Sequence, residues 1–488
     1  MSVTTPPGYT DVSVEGGGVR TPEEWRDVLL TALGYRISDI IKCDAYYRGD
    51  HRMAFTTSQF REVFGSLFSS FADNWCDLVV DAAAERLRVE GFRFGDEPAD
   101  DAAWEIWQRN GLDAESDMAH VDAIKLGCVY ALVGPDDAGK AAIQVEAADK
   151  AVVAIDPARG RHRLAGLRSW VDEWGVQHCI VYLPDSITWY TKASANAPWQ
   201  EELPTTANPL GVVPLIPLPN APTLTDRLGR SDILRVIPLQ NAVNKLCGDM
   251  IVASEFAAYP QRWATGIDIP TNPDTGEKMT AQFLGGADRV WTVPAADAKF
   301  GNFNVSDLGI YVRAVEMLIQ HVAAQTRTPP HYLLGQSGAF PSGESLKATE
   351  TGLVAKVRRK MLSFGEGWEE AMRLAFTIEG ERDKAAMVDA EVIWGNPESR
   401  MIGQTVDAAV KLQSLGVPRP ALWEFTGASP QQIARWKVDG NPESGGPTTV
   451  RESVTVAATP EQAAQMHAGE PVTAPGPETL TGNSSQGG

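Results

Sequence analysis

Residues 231–258 read SDILRVIPLQNAVNKLCGDMIVASEFAA, and residues 306–326 read SDLGIYVRAVEMLIQHVAAQT. In the first stretch Leu239, Val243, Leu246, Met250, Ala253 and Ala257 recur at alternating steps of four and three. In the second, Leu308, Val312, Val315, Ile319 and Val322 keep the same alternation. Such spacing gathers apolar side chains into one stripe, as in a helix packed lengthwise on neighbours. The intervening residues hold Pro270, Pro273, Gly276, Gly285, Gly286 and Pro294, which break a helix. One strand is expected there, around Arg289–Val293. The pattern predicts an antiparallel two-helix stalk with a built-out tip. A two-helix piece of an ordinary globular core carries the same stripes, so the pattern leaves both readings open.

Thr328-Pro329-Pro330 closes the second helix, and the loop Gly335-Gln336-Ser337-Gly338-Ala339-Phe340-Pro341 follows. A third helix, 343–379, starts with Ser342 as cap and Glu344 in its first turn. Leu346, Leu353, Val357, Met361, Phe364, Trp368 and Met372 mark its apolar face. Unbroken it would span about 55 Å. Gly365 and Gly367 weaken it and mark a place for a bend.

Upstream, residues 1–20 are rich in Gly, Thr and Pro and read as a flexible terminus. Thr21-Pro22-Glu23-Glu24 is a capping box that starts a helix running to about Arg48, stopped by Gly49. A second long helix is expected over 58–88, a strand over 89–94, and helices over 99–109 and 113–126 separated by Asn110-Gly111. Six short runs follow as strands: 128–133, 143–147, 151–155, 164–171, 177–183 and 186–191. They form one antiparallel β unit, with hairpin turns at 135–139 and 172–175. A proline-rich extended connection, 208–222, leads into the stalk. Beyond the third helix, 388–394 reads as a strand, and 399–415, 420–425 and 430–436 as helices. From about Val438 the composition is that of a disordered tail. The fold class is α+β, mainly helical.

The net charge of −20 argues against non-specific attraction to nucleic acid, which needs clustered Lys and Arg. Five scattered cysteines without a CxxC suit a reducing compartment. The N-terminal residues lack a signal-peptide pattern, and no run is apolar enough for a membrane span. The reading is a soluble intracellular protein.

Gly134-Pro135-Asp136-Asp137-Ala138-Gly139-Lys140 matches seven positions of a phosphate-binding loop, but the eighth is Ala141, without the hydroxyl that holds Mg²⁺. A strand follows it where such a loop needs a helix N-terminus. The stretch therefore reads as a hairpin turn. The seven histidines show no metal-ligand spacing, and no nucleophile elbow occurs. His178-Cys179 is expected in a strand, and Asp100-Asp101 and Asp136-Asp137 as solvated turn or cap residues. No catalytic residue, metal or cofactor is assigned. Lys356, Arg358, Arg359 and Lys360 form a basic cluster that would face DNA or, preferably, acids of an adjacent chain.

The order of these parts resembles the portal proteins of tailed bacteriophages with long non-contractile tails, especially those infecting actinobacteria. Three features carry the resemblance. The first is Tyr46-Tyr47-Arg48-Gly49, then Asn74-Trp75-Cys76 with Leu78-Val79-Val80-Asp81, Glu85-Arg86-Leu87 and Gly91-Phe92. The second is Pro341-Ser342-Gly343-Glu344-Ser345-Leu346-Lys347. The third is the order helix, excursion, helix, loop, long helix.

The resemblance implies a ring, usually of twelve copies, at one capsid vertex. It implies an α/β wing over 20–230, a two-helix stem over 231–266 and 306–334, and a small α/β clip over 267–305. It further implies a tunnel loop over 335–342, a long wing helix over 343–379, and wing plus helical crown over 380–437. The tail 438–488 has no counterpart. Expected partners are further copies of the chain, the terminase large subunit, head-tail connector or adaptor proteins, and the major capsid and scaffolding proteins. Double-stranded DNA would pass without sequence specificity. The expected location is the virion, with assembly in the host cytoplasm. On this mapping Gly335, Gln336, Ser337, Gly338, Phe340 and Lys347 lie nearest the DNA. Asp249, Glu255 and Glu316 are candidates for the lumen, and Asp274, Glu277 and Lys278 for docking at the clip. Leu239, Val243, Leu246, Met250, Leu308, Val312, Val315, Ile319 and Val322 would pack the stem. Two other readings stand beside it: a nucleotide-dependent enzyme using Lys140, and a coiled-coil scaffold or adaptor.

Overall fold

A computed structural model describes residues 20–50, 73–95, 99–258, 262–266, 297–302, 307–334, 343–398 and 402–439, with positions 271, 273 and 276. The chain divides into two units at Pro430. Helix α1, Pro22–Tyr47, opens the first unit, and the Thr21–Glu24 capping box is present in both directions. It is followed by α2 (Cys76–Ala84), β1 (Val89–Arg93), α3 (Asp101–Arg109) and α4 (Leu112–Leu126). The expected helix over 58–88 is interrupted: residues 73–75 are not helical, α2 begins at Cys76 and stops at Ala84, and the part over 58–72 lies outside the described residues.

Among the described residues eight strands follow α4 over 128–219, where six were expected, because the runs 200–207 and 215–219 were not foreseen. Strands β2 (Cys128–Pro135), β3 (Ala141–Glu146) and β9 (Leu215–Pro219) make a three-stranded sheet in the order β3-β2-β9. Strands β4 (Ala151–Ile155), β5 (Arg163–Val171), β6 (Gln177–Tyr182), β7 (Ser186–Lys192) and β8 (Gln200–Ala207) make a five-stranded meander. The single β unit is thus two antiparallel sheets. Strand β9 lies in the stretch expected as an extended connection. Its Pro217 and Pro219 are tolerated because it pairs on one side only, with β2. Strand β8 shows no apolar alternation and is exposed along its whole length at the edge of the meander.

The two sheets and two helices form four layers. On β2, Val129, Ala131 and Val133 face the main helical core, while Cys128, Tyr130 and Leu132 face the five-stranded sheet. Both faces being covered, the strand is apolar without alternation. On the meander's other face, Cys179, Val181 and Leu167 pack under Trp25, Leu29 and Leu33 of α1.

The outer layer on the β2 side is α8, Gly343–Glu379, a single helix of 37 residues. It lies against β2, β3 and β9. Its Phe364, Trp368 and Phe376 are fully buried. Trp368 meets Trp107 edge-on at 5.2 Å, and Phe376 meets Phe94 at 5.1 Å. Of the two glycines expected to weaken this helix, Gly367 has a packing reason. A Cβ on Gly367 would fall 2.3 Å from a Leu218 methyl and 3.2 Å from the Pro217 carbonyl, so Gly lets β9 approach the helix backbone.

The remaining elements of the unit are α5 (Ile237–Ala258), β10 (Arg262–Thr265), β11 (Lys299–Asn302), α6 (Gly309–Thr326), α7 (Pro330–Leu333), α9 (Arg382–Ala386), β12 (Glu391–Trp394), α10 (Ile402–Ser414) and α11 (Arg419–Phe425). Strand β12 pairs antiparallel with β1. Helix α12, Pro430–Asp439, belongs to the second unit from Gln431 onward. The strand expected over 289–293, the loop 335–342 and the tail from 440 lie outside the described residues. Among the described residues no helix is long and apolar enough to cross a membrane.

Candidate functional site

Helices α5 and α6 pack on each other, and β10 and β11 pair antiparallel where one helix leaves and the other returns. The ladder joins Arg262 to Asn302 and Thr265 to Lys299, so the two helices run in opposite directions. The 4–3 stripes fall on them as expected. Val243, Ile319 and Val322 are buried; Leu239, Leu246, Met250, Val315 and Leu308 are half-buried; Val312 is 46% exposed. Burial on α6 is thus confined to the end farther from the ladder, and Ile310, Val312 and Met317 are exposed nearer to it.

The root of α5 is held by polar side chains that the apolar pattern did not reveal. Gln240 and Asn244 are completely buried. Asn244 Oδ1 accepts from the Asp73 amide at 3.0 Å, and Gln240 Oε1 from the Trp75 amide at 2.8 Å. Gln240 Nε2 donates to the Asp73 carbonyl, and Tyr46 OH donates to Asn241 Oδ1 at 2.7 Å. Asn74 donates to the Tyr47 carbonyl at 2.9 Å and accepts from the Cys76 amide at 3.1 Å. Tyr47 OH donates to Asp81 Oδ1 at 2.9 Å. The Tyr46-Tyr47 and Asn74-Trp75-Cys76 motifs are therefore one device that satisfies irregular backbone at 73–76 against α5. A signal was present: two polar residues spaced four apart on an otherwise apolar helix.

Arg86 has a matching role at the other helix. Its guanidinium donates to the Pro397 carbonyl at 2.7 Å and to Tyr332 OH at 2.6 Å, and lies 3.4 Å from Glu350. Tyr332 OH donates to Glu350 Oε1 at 3.2 Å. Arg86 thus ties α7, at the end of the second stalk helix, to the first turns of α8.

The basic cluster is corrected. Lys356 and Lys360 face neither DNA nor a neighbouring chain but converge on Asp232, at 2.9 and 3.0 Å. Asn220 accepts from Lys360 and donates to Asp232 Oδ1 at 3.1 Å. Burial opposes charge on Asp232, yet the two ammonium groups hold its carboxyl well below the usual range. Burial also pulls Lys360 down to about 8, against the pull of Asp232. The periodicity of α8 explains the misreading: positions 353, 356, 357, 360, 361 and 364 share its inner face. Arg358 and Arg359 stay exposed; Arg358 pairs with Glu398 of the same chain.

Lys140 sits beside the tight turn joining β2 and β3, where the Asp136 amide donates to the Lys140 carbonyl at 2.8 Å. Its ammonium pairs with Glu379 at 2.7 Å, and the Ala141 amide donates to the same carboxylate at 2.9 Å. Arg109 also pairs with Glu379. The stretch is a hairpin turn, as its sequence predicts. Asp136 is a solvated turn residue, accepting from the Ala138 amide at 2.9 Å. Asp100 caps α3 but is buried and paired with Lys384 at 2.6 Å, not solvated.

Among the remaining assigned residues, Lys347 is exposed on α8 and Glu316 on α6. Asp249 is half-buried and pairs with Lys245 one turn away. Glu255 lies on α5, with its side chain outside the described residues. Gly335, Gln336, Ser337, Gly338 and Phe340, and Asp274, Glu277 and Lys278, also lie outside them. Among the described residues no group of His, Cys, Asp and Glu could hold a metal ion.

Comparison with known proteins follows the same outline. The family model described as phage portal protein, SPP1 Gp6-like, matches residues 28–445. The chain belongs to this portal family. The portal protein of Mycobacterium phage D29 is 32% identical over 382 residues, 74% of this chain and 77% of its own length. That of Mycobacterium phage L5 is 33% identical over 362 residues, 70% and 73% of the two chains. Among solved structures, the virion of a native gene transfer agent particle aligns with a TM-score of 0.41 at 11% identity, over 72% of this chain and 87% of that one. The neck of the native particle, computed with C12 symmetry, aligns at 0.42 and 10% identity over 77% and 95%. The resemblance to actinobacteriophage portals is borne out, and the function is that of a phage portal.

Proposed function

We propose that copies of this chain close into a ring, twelve in number, whose central channel passes double-stranded DNA during packaging and ejection. One observation carries the ring: α5 and α6 bury one side of their pair in the core and leave Ile310, Val312 and Met317 in water. A ring of like helix pairs would cover such a face repeatedly, through heterologous contacts that return to the start. In this reading α5 and α6 are the stem, 267–305 the clip at its tip, 335–342 the tunnel loop, α8 the long wing helix and 380–437 wing and crown. Asp249, Glu255 and Glu316 line the channel, where acids keep the duplex from sticking. Asp274, Glu277 and Lys278 of the clip dock the terminase large subunit and later the connector proteins; the major capsid and scaffolding proteins meet the ring's outside. The role is structural rather than enzymatic. The ring works in the virion, at one capsid vertex, after assembly in the host cytoplasm.

The test is an averaged top view of the purified chain by electron microscopy. The expected image is a closed ring with a central hole wide enough for a DNA duplex. A preparation that stays monomeric or forms compact dimers at high concentration overturns the proposal.

A further inference from the structure

Two exposed patches of opposite character sit at the two ends of strand β5. At one end is the β5–β6 turn. Trp174 stands there 84% exposed, beside Asp172 and Glu173. Its mount is rigid. Asp172 Oδ1 accepts from the Trp174 and Val176 amides at 3.0 and 2.8 Å, and Gly175 takes the left-handed conformation that closes the turn. The other Asp172 oxygen lies 3.2 Å from His178 Nε2, and His178 Nδ1 lies 3.4 Å from Glu202. The patch is thus an exposed indole on a hydrogen-bonded turn, rimmed by Asp172, Glu173 and Glu202.

At the other end the β4–β5 loop lies over the 221–230 loop and the outer face of α8. Arg161 pairs with Glu366 at 2.7 Å, Gly160 lies against the Arg227 guanidinium, and Arg359 donates to the Pro222 carbonyl at 3.5 Å. Leu224 is 87% exposed and Leu362 75%. Arg227, Arg358 and Arg359 are exposed around them, Arg358 paired with Glu398 of the same chain. In a chain of net charge −20 this is a local excess of positive charge beside bare leucines.

We infer that the Trp174 turn of one copy docks on the Leu224–Leu362 patch of the next copy, its acids meeting Arg227, Arg358 and Arg359. The inference rests on the ring reading above and names a contact within it. Several observations favour a second copy as occupant. The charges are complementary, both patches are apolar at the centre, and each molecule carries one of each. Nine residues of extended β5 separate them by about 30 Å. Two different patches at opposite ends of one element form a head-to-tail contact, which propagates and closes only as a ring or runs on as a filament. A hydrogen-bonded turn loses little backbone freedom on docking, and Trp is enriched among the residues that dominate interfaces.

The test uses the full chain in sedimentation velocity over a concentration series. Trp174→Ala and the double change Arg358→Glu with Arg359→Glu are each expected to raise the concentration at half-assembly at least tenfold. Adding Glu173→Arg to the double change should recover part of that loss. An equimolar mixture of the two deficient variants retains one good contact per pair and should stop at dimers. Either variant assembling at the parental midpoint overturns the inference, as does a charge swap that assembles no better than the double change alone. Circular dichroism checks that the variants fold. Should one not fold, hydrogen exchange of the parent decides: amides 172–176 and 223–228 must gain protection on assembly, and unchanged exchange overturns the contact. A parent that never assembles overturns the ring reading itself, whereas a parental ring indifferent to both patches overturns only this contact.

Discussion

Changing Asp232 to Asn leaves two lysines in a buried pocket without their carboxylate. Lys360 is 3% exposed at its side chain and Lys356 14%, so Lys356 can turn toward water while Lys360 cannot. Lys360 can then remain charged and unpaired, or lose its proton. The second route limits the Lys360 part of the cost: a group already down at about 8 in the fold gives up its proton at pH 7 for about 1.4 kcal/mol, at 1.36 kcal/mol per pH unit. Removing one partner of a buried pair costs up to roughly 3–5 kcal/mol where the remaining charge cannot relax, so a loss of about 1.5–4 kcal/mol is expected. The assay is urea unfolding followed by tryptophan fluorescence, at a concentration where light scattering shows parent and variant in the same assembly state.

The pH profile adds a second readout. In the parent, Lys360 titrates near 8 when folded and near 10.5 when unfolded. Between those values the unfolded chain binds more protons, so stability rises with pH. In the variant the folded value drops further and the rise begins at lower pH. Asp232 contributes with the opposite partner: its carboxyl is held low when folded, so its stabilisation is complete above the ordinary carboxylate value and lost as pH falls. The variant lacks that acid loss. A variant within about 1 kcal/mol of the parent at pH 7, with the same profile, refutes the reasoning. Replacing Asp232, Lys356 and Lys360 together by Leu, Met and Met removes the desolvation penalty with the charges but strands the buried Asn220 amide oxygen, so a net loss of about 1–3 kcal/mol is expected.

Other expectations can be checked with the same unfolding assay. His120 is fully buried, stacks on Phe364 and accepts from Trp368 Nε1 at 3.0 Å; burial holds it down to about 4. Its stabilisation is complete above the ordinary 6.5 and is lost as pH falls toward 4, about 3 kcal/mol in all, so His120→Gln should flatten that part of the profile. Arg86→Ala should cost about 2–4 kcal/mol by stranding Tyr332 and Glu350, and Arg86→Lys should restore only part, because one ammonium cannot reach Pro397 and Tyr332 together; equal stability of the two variants would contradict the tie. Gly367→Ala gains about 1 kcal/mol of helix propensity but overpacks Leu218 by about 1–3 kcal/mol, so a net loss is expected, and a clear gain would show that β9 does not approach as described. Lys140→Ala should cost under about 1 kcal/mol, as for other half-exposed ion pairs, and neither parent nor variant should bind ATP at millimolar concentration in calorimetry; binding lost on that change would favour the enzyme reading.

The local chemistry of the chain was legible residue by residue. Thr21 and Glu24 cap α1, Asn110-Gly111 separates α3 from α4, Asp136 and Asp172 build their turns, and the 4–3 stripes lie on α5 and α6. Each of these depends on neighbours within a few positions, which is the range over which caps, turns and helical periodicity act. The family was legible too, because motifs such as Tyr46-Tyr47 and Asn74-Trp75-Cys76 keep their order along the chain. What those motifs do was decided only in three dimensions. Gln240 meets the amide of Trp75, 165 positions away, and Lys360 meets Asp232, 128 positions away. A buried charge and a solvated one are written with the same letter, and only the layer packed over α8 separates Lys360 from Arg359. Likewise β9 became a strand through β2 beside it, and Gly367 is a close contact rather than a weak point because Leu218 lies against it. Long-range pairing and burial belong to the whole fold, so no window of sequence carries them.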